Sequence, residues 1–141
     1  MSLDEMVLMT IQLDTEQRIE LAKNCTIKMR DGFKKMGVKQ DQLGKKICDF
    51  IRLFVSADKK CSRAEYDLIN SMYDFDMSYE EFYDLSNGGV QKDFIASMDK
   101  YIDSLNADLK YHICLFGLCI LVSDDQVTAP EYELFKRILE E

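Results

Sequence analysis

Apolar residues recur along much of this chain at helical spacing. Ile47, Phe50, Ile51 and Phe54 fall at i, i+3, i+4 and i+7, and Ile113, Phe116 and Ile120 repeat the stripe. Shorter stripes pass through Leu68, Ile69 and Met72 and through Leu134, Phe135 and Ile138. A period near 3.6 residues marks helices with one buried face. The stretch "MVLMTIQL" fits helix or strand, and strand-like alternation occurs nowhere else. Helix starts are marked by Ser, Thr or Asp followed three residues later by Glu or Gln, so that cap and third residue satisfy each other's backbone N–H. Such pairs stand at Ser2/Glu5, Asp14/Gln17, Ser62/Glu65, Ser78/Glu81 and Thr128/Glu131, with Asp41 and Asn106 as further N-caps. Stops fall at Gly32, Gly37 and the 87–89 Asn-Gly-Gly run. These signals predict helices over 3–12, 15–31, 41–57, 63–74, 79–86, 90–104, 107–123 and 129–140. The expected fold is all-α: one compact domain over 1–141, a bundle of seven to eight helices.

A displacement of 66 positions lays "KICDFIRLFVSADKKCSRAEYDLI" (46–69) over "HICLFGLCILVSDDQVTAPEYELF" (112–135). Ile47/Ile113, Cys48/Cys114, Phe50/Phe116, Asp58/Asp124, Glu65/Glu131, Tyr66/Tyr132 and Leu68/Leu134 are identical. Two copies are too few for a solenoid. They suit two helical hairpins, near 41–74 and 107–140, related by a pseudo-twofold axis.

Each copy places Asp at the end of an apolar helix and Glu seven residues on, after a Ser or Thr cap. This phrase, "SADKKCSRAE" and "SDDQVTAPE", resembles the TerB-like family, which includes the tellurite-resistance protein TerB and the N-terminal region of DjlA-type co-chaperones. The resemblance covers roughly 40–140, with Lys59 and Asp125 where the family usually has Gly after Asp. It implies a two-part helical fold and a cluster of acidic residues, here Asp58, Glu65, Asp124 and Glu131, as a candidate divalent-cation site. Asp58 and Asp124 also continue the apolar stripes of their helices. Carboxylates brought together out of water require donors, protons or a cation. An all-oxygen set favours Mg²⁺ or Ca²⁺. The competing structural reading makes Glu65 and Glu131 helix caps and has the two aspartates accept N–H bonds within their own turns. An EF-hand is excluded, because Arg63 and Ala129 stand where its loop has Gly, and Ile69 and Phe135 where it has Glu.

Composition narrows the chemistry further. The formal charge of −8 is unevenly spread: between Lys23 and Lys46, eight Lys/Arg face Asp31 and Asp41, a local +6, while ten basic against twenty-four acidic residues leave −14 elsewhere. That balance argues against general nucleic-acid binding, which depends on neutralising phosphates. The basic 23–46 segment is a candidate for contact with an acidic partner or an anionic membrane surface. No apolar run reaches the roughly 18–20 residues of a membrane span. The first thirteen residues carry Asp4 and Glu5 and no basic region, so no signal peptide is expected and the cytoplasm is the expected compartment. Five cysteines without a Cys-x-x-Cys pair, and a single histidine, give no zinc pattern; the thiols are expected mostly in the core. A nucleophilic pair of Cys48 or Cys114 with His112 has no local support. Together these readings lead to a non-enzymatic module for protein–protein interaction, in stress or tellurite-resistance machinery, with no catalytic residue and a candidate cation site. The alternative is a metal-assisted hydrolase using the same four carboxylates.

Overall fold

The computed structural model describes residues 2–58, 63–72, 78–81, 92–121 and 127–140. Among them are seven α-helices: α1 (Leu3–Gln12), α2 (Thr15–Lys35), α3 (Leu43–Asp58), α4 (Arg63–Met72), α5 (Lys92–Asp103), α6 (Ala107–Leu121) and α7 (Ala129–Glu140). A 3-10 turn at Gln40–Gln42 precedes α3, and the described residues contain no strand. The chain is all-α, as its periodicity predicts.

The centre of the bundle is α6. Leu109, Lys110 and every residue from Ile113 to Leu121 are buried, so it has no solvated stripe along most of its length. A helix apolar all round must be enclosed by others. The longest helix, α2, lies along it; α3, α4, α7 and α1 close the remaining sides. Within this wrapping α3 also packs on α7 and α4 on α6.

Aromatic rings run continuously through the core. Phe135 meets Phe54 at 5.4 Å between centroids, Phe54 meets Phe50 at 6.3 Å, and Phe50 stacks on Phe33 at 6.0 Å. Tyr101 of α5 completes the series against Phe33 and Phe50. Four helices are thereby joined by contacts worth about 0.5–1.5 kcal/mol each beyond the area they bury. At Gly117 of α6 an added Cβ would lie 2.7 Å from the Phe135 ring and 2.8 Å from Phe54. Glycine there lets α6 approach both rings.

Helix ends follow the predicted caps where they are described. Ser2/Glu5 and Asp14/Gln17 form reciprocal capping boxes, Ser78 accepts the N–H of Glu81, and Asn106 accepts that of Leu109. The Ser62/Glu65 pair and the 87–89 stop lie outside the described residues and side chains. Two boundaries differ from expectation. Helix α2 runs through Gly32 because that residue faces Leu109 of α6, whose Cδ1 would be 2.8 Å from a Cβ; close approach of two helices outweighs the usual helix-ending tendency of glycine. The true terminator is Gly37, at φ +94°, where Val38 N–H returns to Phe33 O and Gly37 N–H to Lys34 O in a Schellman motif. Asp41 lies inside the 3-10 turn instead of capping α3: the turn, closed by Gln42 N–H to Lys39 O at 2.9 Å, runs directly into the helix.

One buried cation is structural. Arg18, on the core face of α2, donates from Nε to Thr10 O at 3.0 Å and from Nη2 to Ile11 O at 2.9 Å. It satisfies the last carbonyls of α1 and fixes that helix against α2.

The two glycines make a direct test of the packing. Gly117→Ala is expected to destabilise the fold by about 1–3 kcal/mol, since a ring from each neighbouring helix must move. Gly32→Ala meets only the flexible end of Leu109 and gains up to about 1 kcal/mol of helix propensity, so its net effect is small. Urea denaturation of both variants checks the order, and equal losses would contradict it.

Candidate functional site

The four carboxylates of the doubled phrase have different standing. Asp58 is the last residue of α3 and Glu65 lies in the first turn of α4, but neither side chain is among those described; Asp124 lies outside the described residues altogether. Glu131 is fully described. It occupies the third position of α7 and is 1% exposed. Its Oε1 accepts the Thr128 N–H at 2.8 Å while the Thr128 hydroxyl accepts the Glu131 N–H at 3.4 Å, closing the expected capping box. One carboxylate oxygen is therefore committed to the helix start. Among the described residues no group of three His, Cys, Asp or Glu side chains comes together in a metal-binding arrangement.

The stripes leading to the two aspartates are core, as their spacing predicts. Ile47, Phe50, Ile51 and Phe54 on α3 and Ile113, Phe116 and Ile120 on α6 are all buried. So are Ile69 on α4 and Leu134, Phe135 and Ile138 on α7. The tyrosines that follow the two glutamates diverge in role. Tyr132 donates its hydroxyl to Asp4 at 2.7 Å and ties α7 to α1. Tyr66 meets Tyr79 edge-on at 5.5 Å, with the Arg63 guanidinium over both rings. That contact places Tyr79, from the acidic-aromatic run, partly against the core.

Cysteine chemistry is suppressed inside the bundle. Cys25, Cys114 and Cys119 are buried, as expected for most of the thiols, and Cys48 is exposed on α3. Burial pushes the Cys25 thiol up to about 11 and Cys119 to about 12, and drives Cys114 higher still. Such thiols are not nucleophiles near neutral pH. Cys114 points its Sγ at Phe135 O, 3.9 Å away, whereas the Nδ1–H of His112 donates to Asp108 O at 2.8 Å. Two residues apart on one helix, their side chains leave in nearly opposite directions. The structure does not join Cys114 and His112 into a pair.

The surface carries features that composition indicates only as a charge run. On α2, Lys23, Ile27, Arg30 and Lys34 recur at i, i+4, i+7 and i+11, all exposed, with Ile27 at 57%. Met36, at the end of the same helix, is 39% exposed. No helix among the described residues is long and apolar enough to cross a membrane. No protein-family model, curated protein or solved structure matches this chain.

Glu131 tests how far the cap alone accounts for the phrase. Glu131→Ala leaves the half-buried Thr128 N–H without its acceptor and is expected to cost about 1–3 kcal/mol. Glu131→Gln keeps an oxygen in place and should cost less. Chemical denaturation of the pair decides; a Gln variant as weak as the Ala variant would show that the ionised carboxylate, not the cap bond, carries the stability.

Proposed function

We propose that this chain is a non-enzymatic helical module of TerB-like type, acting by docking an acidic protein partner in stress or tellurite-resistance machinery. The observation that carries the reading is the outward stripe of α2. A β-branched apolar side chain, Ile27, stands exposed among Lys23, Arg30 and Lys34, in a chain whose formal charge is −8. An isolated exposed apolar residue is ordinary. One set among more basic than acidic neighbours, Lys23, Arg30 and Lys34 against Asp31 at i+4, matches the anatomy of a docking patch: a central anchor for affinity, and rim charges for steering and partner choice. The complementary partner presents acidic residues around an apolar recess.

Affinity capture with wild type, Ile27→Asp, Lys23→Glu/Lys34→Glu and an exposed control on another helix, Asp103→Lys, tests the reading. A protein recovered with wild type and the control, lost with both face variants, and bound in purified form more weakly as salt rises is the expected result. A partner set indifferent to all four chains would sink it. Sedimentation with anionic vesicles in place of protein binding would move the face to a membrane role.

The doubled Asp/Glu phrase adds a second element to the proposal: a Mg²⁺ or Ca²⁺ ion held by Asp58, Glu65, Asp124 and Glu131, stabilising the paired hairpins without turnover. At a hundredfold its Kd such an ion adds about 2.7 kcal/mol of stability. Thermal melting with EDTA, Mg²⁺ or Ca²⁺ should show that gain in wild type and lose it in Asp58→Asn/Asp124→Asn. No shift at millimolar cation would reduce the four carboxylates to caps and turn acceptors.

A further inference from the structure

The corner between α2 and α3 contains a cleft of about 290 Å³, lined by Val38, Lys39, Gln42, Lys45, Lys46 and Asp49. That is room for about ten waters at about 30 Å³ each. It lies at the small end of ligand pockets, which run from about 300 to 1,000 Å³, and so has room for a small molecule. None of its residues belongs to the α2 stripe or to the carboxylate phrases.

Its charge is out of balance with the chain around it. Three lysines and one aspartate line the cleft, and among the described residues none of the four is in an ion pair. Lys46 is the fixed member: its Nζ sits 4.0 Å from the centroid of the Tyr101 ring. Tyr101 is itself held against Phe33 and Phe50. The aromatic core thus holds one cation in place before any ligand arrives, which lowers the ordering cost of binding. Lys39 and Lys45 are exposed and free to close on a charge from the rim. Lysine acts as a point charge toward phosphate, and several converging on one dianion strengthen it together. Gln42 offers an amide donor and acceptor, and Asp49, an acceptor only, can take a ligand hydroxyl while repelling a second anion.

We propose that this cleft binds a small phosphate ester of a polyol or sugar, with Lys39, Lys45 and Lys46 on the phosphate and Gln42 and Asp49 on hydroxyls of the attached carbon skeleton. The site is independent of the docking face on α2. Glycerol 3-phosphate is the probe, titrated into the whole chain by calorimetry and by amide NMR, against glycerol and against NaCl of equal ionic strength. Saturable binding is expected, with the shifted amides confined to 38–49. Lys45→Gln/Lys46→Gln should weaken binding by about tenfold or more, as loss of charge-assisted contacts does. Asp49→Asn should tighten it severalfold by removing the opposing charge, and Ile27→Asp should leave it unchanged. Melting curves of the variants verify that each is folded. Four results would overturn the proposal: no saturation, shifts reproduced by NaCl, undiminished affinity in the double-lysine variant, or binding to phosphatidic-acid vesicles with no response to the soluble ester.

Discussion

The all-round burial of α6 is the constraint from which the rest of the structure follows. A helix with no solvated stripe over most of its length cannot be satisfied by one neighbour. It has to be wrapped, and the amphipathic helices α2, α3 and α7 each contribute one apolar face to the wrapping. Close wrapping then demands small residues at the tightest points. Gly117 admits the rings of Phe54 and Phe135, and Gly32 admits Leu109. The same ring series continues through Phe50 and Phe33 to Tyr101 and ends under the ammonium of Lys46. A packing requirement at the centre therefore fixes the position of a charge at the surface.

Much of this was legible in the sequence, for a physical reason. Periodicity and capping are local, so the stripes through Ile47–Phe54 and Ile113–Ile120 and the boxes at Ser2, Asp14 and Thr128 could be read without knowing what they touch. Features set by tertiary approach could not. Gly32 carries the signal of a helix end, but Leu109, 77 positions away, decides its role. Asp41 carries the signal of an N-cap, yet it sits within a 3-10 turn that leads into α3. Cys48 aligns with buried Cys114 in the repeat yet lies exposed, because the two copies meet different neighbours.

The candidate sites divide along the same line. Glu131 was legible as a cap, and the structure places its Oε1 in that bond. The cleft at 38–49 was legible only in part: Gln42, Lys46 and Asp49 share one helical face at i, i+4 and i+7, but that Val38 and Lys39, before the helix, close the concavity could not be read from spacing. A further hint was the run of positive charge from Lys23 to Lys46, and it gave no indication that three of those eight cations would share a concavity.

A basic face on an acidic chain raises the question of which charge a partner senses. At physiological ionic strength the Debye length is about 8 Å, so at contact the local charge outweighs the net charge. A residue on the far side of the bundle, more than two helix diameters of about 10 Å away, is almost fully screened. The −14 outside the 23–46 segment therefore acts chiefly on solubility, while the +6 within it is the charge that the proposed partner would sense at contact. In the proposed docking role this separation sets an orientation: an anionic partner meets like charge when it approaches the acidic faces and opposite charge at the basic one. The acidic remainder would then add to selectivity by disfavouring the other approaches.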